Sequence, residues 1–242
     1  MTAVSLREII AAVESTPTHL RICSPGEYPD LRDRFGTRNV VVEHTRLPGE
    51  NEEGFVIVRK GGEFVGSVEL SALQSLANPR TAGPGSAELG DDGFDALLDL
   101  LDDTVFSSFD RRQMLATTRE IEDRAWRLGH GRLYAGFQSL SAMQDQVGVY
   151  EQLATKPGLE IAVYGQPDWE PPSIEGVTVH ATDAPEISRV WFVVFEGSVR
   201  LDSCALLAEE RDPGRFYGFW TYDPDRVDAI LEEIERADAD GT

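Results

Sequence analysis

Lysine is almost missing from this chain: Lys60 and Lys156 are the only two in 242 residues, and the rest of its 22 basic side chains are arginine. Cations of either kind are few beside 43 carboxylates, and the formal charge is −21. A field of that sign repels nucleic-acid phosphates and anionic lipid, which argues against a direct nucleic-acid or membrane-surface partner. Cysteine is equally scarce. Cys23 and Cys204 stand alone in apolar runs with no C-x-x-C and no histidine at ligand spacing. That excludes a disulfide framework and a structural zinc site, and leaves two buried free thiols. No apolar run approaches the roughly 18 residues of a membrane span, and the N-terminus lacks a basic segment followed by an apolar one. These absences predict a soluble cytoplasmic protein. No nucleophile–base pair and no phosphate loop stands out either. The G-H-G at 129–131 lacks the third glycine of a dinucleotide loop and follows a helix rather than a strand. His19, His130 and His180 are dispersed singles, so no metal site is expected.

What is present is an acidic composition, its cations nearly all arginine, with an ordinary apolar fraction of 41%. That combination suits a cytoplasm holding molar salt, where the screening length falls to about 3 Å and surface carboxylates hold water. A GC-rich genome, which favours arginine codons, would give the same lysine shortage. The halophilic reading predicts that the melting temperature falls as KCl is diluted from molar to millimolar. A flat or rising melting temperature on dilution would remove it.

The chain is long enough for one good core or two small ones. The strongest pattern lies at 190–223. V-W-F-V-V-F is β-branched and aromatic throughout and predicts a strand buried on both faces. C-A-L-L-A and R-F-Y-G-F-W-T-Y follow, separated by E-G-S and D-P-G turns, which predicts an antiparallel meander with Trp191, Phe195, Phe219 and Trp220 inside. Upstream, S-L-R-E-I-I-A-A-V at 5–13 predicts a short helix with a Ser5/Glu8 capping box. Short strands are expected near 20–23, 55–59 and 63–70, a helical turn near 31–37, a central strand at 40–45 and a helix at 70–77. Residues 81–92 read as a linker between an N-terminal half, 1–80, and a C-terminal half, 93–237. That second half begins with a helix at 94–101. The longest helix, 110–128, is expected to be capped by Ser108 or Asp110 and closed by Gly129. Strands follow at 133–138, 159–165 and 177–181, with a helix at 141–153 between the first two. A last helix spans 224–236, and 238–242 should fray. The fold class is α+β, with small mixed, largely antiparallel sheets, packed helices and an aromatic-rich C-terminal meander.

Three features invite a chemical reading. Gly61-Gly62-Glu63-Phe64 is close to a cyclase signature but one residue short, and paired glycines between two strand patterns read first as a hairpin turn. His44 alternates with Val40 and Val42, so it points to one face and Glu43 to the other. On the longest helix, Met114, Ile121, Ala125 and Leu128 form an apolar stripe. Arg119 and Asp123 fall opposite it, on a face expected to be solvated and within pairing distance of each other. Glu122 sits on the apolar arc, where a carboxylate is costly unless it is paired, hydrogen-bonded or protonated.

The run R-R-Q-M-L-A-T-T-R-E-I-E-D-R-A, then G-F-Q at 136–138, W-F-V-V-F, A-L-L-A-E-E and F-Y-G-F-W-T-Y-D-P resemble, in that order, the DICT sensory domain of diguanylate cyclases and two-component systems. The first 80 residues resemble stand-alone versions from salt-loving archaea. The resemblance implies an α+β sensory domain without catalysis and a proposed link to light or redox responses. No output domain accompanies it here, which implies signalling partners in trans. The leading expectation is a non-enzymatic cytoplasmic sensory module for a small molecule, a chromophore or a protein partner, with no cofactor named. The alternatives are a dimeric interaction scaffold and an enzyme built on Glu43, His44 and Glu122. The residues expected at a ligand are Glu122, Arg119, Trp126, Gln138, His44 and Trp220.

Overall fold

The computed structural model describes residues 5–13, 17–35, 40–48, 54–77, 102 and 105–241. The linker expected at 81–92 and the helix at 94–101 lie outside the described residues. Two sheets carry the fold. The first is built from β1 (Thr18–Ser24), β2 (Val40–Arg46), β3 (Phe55–Lys60) and β4 (Glu63–Glu69), in the order β2-β1-β3-β4. Helices α2 (Pro29–Phe35) and α3 (Leu70–Ala77) pack on it. The second sheet has seven strands, β5 (Phe106–Phe109), β6 (His130–Ser139), β7 (Gly158–Gln166), β8 (Val177–Ala181), β9 (Val190–Glu196), β10 (Cys204–Asp212) and β11 (Arg215–Thr221). Their order is β5-β11-β10-β9-β6-β7-β8. The β6–β7 and β7–β8 pairs are parallel and the rest antiparallel, so the fold is α+β with mixed sheets.

The meander is β9, β10 and β11. In β9, Trp191, Val193 and Phe195 point into one core, and Val190, Phe192 and Val194 into the other. Apolar residues at successive positions of a strand are stable only when both faces are covered, and here both are. One face carries α4 (Arg111–Leu128), α5 (Val147–Leu153), the 3₁₀ segment Leu140–Gln146 that precedes α5, and the N-terminal unit. The other carries α1 (Leu6–Val13), the short α6 (Pro185–Ser188) and α7 (Pro224–Gly241). Trp191, Phe195, Phe219 and Trp220 are all buried, and both cysteines are buried free thiols.

Local signals account for several boundaries. Ser5 and Glu8 form the reciprocal capping box at α1. Asp110 caps α4, accepting from the backbone N–H of Arg112 and Gln113, while the Gln113 side chain accepts from the N–H of Asp110. Gly129 ends the helix at φ 71°, where a side chain would be strained. Gly61 and Gly62, both at positive φ, make the turn between β3 and β4, so the cyclase-like tetrapeptide is a hairpin.

Four expectations need correction. Val40–Arg46 is an edge strand, not a central one; beyond Val40 its side chains are exposed or half-buried, whereas β1 is buried along most of its length. Arg119 and Asp123 are buried: the 3₁₀ segment that precedes α5 brings Gln146 onto Arg119, and Asp123 pairs with Arg127 along the helix. The first half of the helix expected at 141–153 is 3₁₀. The last helix runs to Gly241 instead of fraying after 236; Asp238 on that extra turn bonds His180 at 2.8 Å.

Candidate functional site

α4 is a polar helix in an apolar place, and its charges are spent internally. Arg119 donates to the Oε2 of Glu122 and to the Oε1 of Gln146. The Tyr150 hydroxyl donates to the other Glu122 oxygen at 3.0 Å. Both carboxylate oxygens of Glu122 are therefore engaged, in a side chain with no solvent exposure. Burial raises the Glu122 carboxyl above the ordinary range, although Arg119 and Tyr150 both pull it down. Burial also raises the Tyr150 phenol, with Glu122 adding to the rise. Asp123 pairs with Arg127, not Arg119. Trp191 donates its indole N–H to Thr118 at 3.2 Å, so the polar side of α4 is tied to the sheet as well.

Of the residues expected at a ligand, the structure brings Arg119 and Glu122 into direct contact and shows none of the other four bonded to that pair. Trp126, one turn along α4, is half-buried with the Lys156 ammonium 3.9 Å from its ring centroid. Its buried indole nitrogen finds no acceptor among the described residues. Gln138 is in the left-handed region at φ 61°, where the β6–β7 register shifts. His44 binds the hydroxyl and carbonyl of Ser24 at 3.0 and 3.2 Å, on the small sheet. It borders a hollow of about 260 Å³ with Tyr28, Arg32 and Glu43. Trp220 stacks on Phe106 at 5.9 Å inside the core.

A larger opening lies where sequence reasoning did not look, on the α7 side of β6, β7 and β8. Its volume is about 650 Å³. Ala162, in the middle of β7, is half-buried and stands between Tyr134 of β6 and Thr178 of β8 in the register. Along its own strand the same face carries Glu160 and Tyr164. One methyl among long side chains leaves a hollow. Tyr164 stacks on His180, its partner across β7–β8, at 4.5 Å and 19°, and on Tyr134 at 6.5 Å. α7 supplies the wall: Glu235 accepts from the Tyr134 hydroxyl at 3.4 Å, and Asp238 holds His180. Arg132 pairs with Glu196 at 2.7 Å and with Glu235 at 3.9 Å. Burial pushes the Tyr134 phenol up to about 12, with Arg132 opposing and Glu235 and Glu196 adding to the rise. Tyr164 is raised further, by burial first and then by Asp238, so both phenols remain donors. Tyr164 is 3% exposed and lines the opening, yet its hydroxyl makes no hydrogen bond to any described residue.

Residues 95–211 match the family DICT, "Sensory domain in DIguanylate Cyclases and Two-component system". This stretch is a DICT domain. It takes in α4, the Glu122 network and the three groove strands; it ends before β11, so the F-Y-G-F-W-T-Y-D-P run read as part of the resemblance lies outside the match, as does α7. DICT is a sensory family, not a catalytic one. No curated protein matches the chain. Among solved structures, a polyphosphate kinase from Porphyromonas gingivalis is similar over 96% of this chain, at 11% identity and a TM-score of 0.39. The chain spans 48% of that protein, and so slight a likeness carries no argument. No described helix is long and apolar enough to cross a membrane. Among the described residues no three His, Cys, Asp or Glu side chains converge as a metal site would need.

The groove left only a faint trace in sequence. E-I-A-V-Y places Glu160, Ala162 and Tyr164 on one face, but the parallel registers that bring Tyr134 and His180 beside them come from segments far apart in the chain.

Proposed function

We propose that this protein is a non-enzymatic cytoplasmic sensory module. Its DICT domain holds a small ligand over Ala162 and reports occupancy to signalling proteins in trans through α7. The observation that carries this reading is Tyr164, a side chain 3% exposed that lines a groove of about 650 Å³ and whose hydroxyl has no hydrogen-bond partner among the described residues. Pockets of about 300–1,000 Å³ with a few placed polar groups are the usual form of small-molecule sites. α7 is the route outward because its Glu235 and Asp238 bond the groove's own Tyr134 and His180. The acidic, lysine-poor composition supports a working environment of molar salt.

The test is recovery of the ligand. Native protein purified in molar KCl is heat-denatured, and the released small molecules are identified by mass spectrometry and absorbance. Wild type is expected to release a molecule that Ala162→Phe, which fills the hollow, does not retain. A wild-type preparation that releases nothing, or an Ala162→Phe protein that releases the same amount, counts against the groove. A second reading places the ligand beside α4 at Glu122, Arg119 and Trp126, and the orphaned Trp126 N–H favours it. It predicts that Trp126→Phe loses the ligand and Ala162→Phe keeps it.

A further inference from the structure

The groove's charge is lopsided in a way that selects among ligands. Glu160, Glu235 and Asp238 border it; Glu235 is bound by Arg132 and the Tyr134 hydroxyl and Asp238 by His180, which leaves the Glu160 carboxylate to a ligand. Arg132 also borders it but is already neutralised by Glu196 and Glu235. The Glu160 carboxylate is exposed and has no hydrogen bond or ion pair to any described residue. The rings of Tyr134 and Tyr164 line the same groove, and a tyrosine π-face attracts cations, as the Arg132 guanidinium 5.8 Å from the Tyr134 ring centroid illustrates. The unpartnered Tyr164 hydroxyl has lone pairs available to an N–H donor from the ligand.

Resting on the groove reading above, we propose that the ligand is a flat aromatic cation carrying N–H donors. Its ring lies over Ala162 beside Tyr134 and Tyr164, and its charged N–H groups face the Glu160 carboxylate and the Tyr164 hydroxyl. A neutral ring of the same shape keeps the apolar contact but exchanges charge-assisted hydrogen bonds for ordinary ones. An anion meets carboxylates.

Benzamidine, benzamide and benzoate test this directly, because they share size and planarity and differ in charge. Each is titrated into the full chain in molar KCl by calorimetry, with amide NMR shifts in 158–181 locating the contact. Benzamidine is expected to bind about tenfold more tightly than benzamide, the gap between a charge-assisted and a neutral hydrogen bond, and benzoate not at all. Glu160→Gln, a substitution at an exposed side chain, is expected to bring benzamidine down to the benzamide level. Equal binding of benzamidine and benzamide, preferred binding of benzoate, or no binding by any of the three overturns the cation proposal. Ala162→Phe separates the two claims. If it abolishes binding of probes that show no charge preference, the groove stands and the cation falls. If benzamidine still binds the filled protein with unchanged affinity, the groove reading falls as well.

Discussion

Arg119→Met lowers the stability of the fold by about 3–5 kcal/mol at neutral pH, the loss expected when one member of a buried ion pair is removed. The reason lies in what remains. Glu122 has no solvent exposure, and without Arg119 the Tyr150 hydroxyl is the one remaining partner of its carboxylate among the described residues. In the wild type, burial already holds this carboxyl above its ordinary range. Removing the cation raises it again. A carboxyl whose pKa is higher in the folded than in the unfolded state stabilises the fold fully below the unfolded value. That contribution is lost as pH rises through the folded value. The deficit of Arg119→Met should therefore deepen from pH 5 towards pH 8, by up to about 1.4 kcal/mol per pH unit while Glu122 stays protonated only in the folded protein. Adding Glu122→Gln removes the titrating group, so the double variant should recover much of the stability and lose the extra slope. Denaturant unfolding of the three proteins at pH 5 and pH 8 measures both effects. A loss independent of pH, or a double variant no better than Arg119→Met, would mean that the pair does not control the burial of Glu122.

Trp220→Ala is expected to cost about 3–5 kcal/mol, the range for removing a large buried aromatic. Trp220 is 2% exposed and begins a stack that runs through Phe106 to Phe109 at centroid spacings of 5.9 and 4.1 Å. Phe109 meets Phe35 of α2 edge-on at 6.0 Å. The stack thus joins the meander to the N-terminal unit, and the cavity would open at that joint. Phe64→Ala serves as the control. Phe64 is 61% exposed on β4, and its loss should change stability by no more than about 0.5 kcal/mol. Similar losses for the two variants in thermal or denaturant melts would contradict the burial described for Trp220.

Much of the fold was legible because its strongest elements satisfy local rules. β9 has apolar residues at every position, which only a doubly covered strand tolerates, and the D-P-G turn fixes where β10 gives way to β11. The caps of α1 and α4 are spelled out by Ser5, Glu8, Asp110 and Gly129. Legibility ended where neighbours decide. Periodicity puts Arg119 and Asp123 opposite the apolar stripe, and it cannot know that a later segment sets Gln146 on that side. Glu122 was recognisable as an inward carboxylate, but its partners Tyr150 and Gln146 come from a later segment that folds back over α4. Val40–Arg46 reads as apolar as β1 does, and only the pairing order makes it an edge. The groove is the extreme case, because its hollow is a missing side chain at Ala162 whose meaning depends on two parallel strands.

α1 and α7 lie against each other over the second face of the large sheet. Leu6, Ile9, Ile10 and Val13 of the first helix share one core with Val227, Ile230 and Ile234 of the last. The stretch that carries the family likeness stops before β11, and it takes in neither helix. Its boundary in sequence is therefore not a boundary in space. Cut free at residues 95 and 211, it would leave Phe192, Val194 and Leu207 without the helices that cover them. The piece that can be inherited, compared or grafted as a structural unit is larger than the piece that is recognised, and it is closed by a clasp made from α1 and α7.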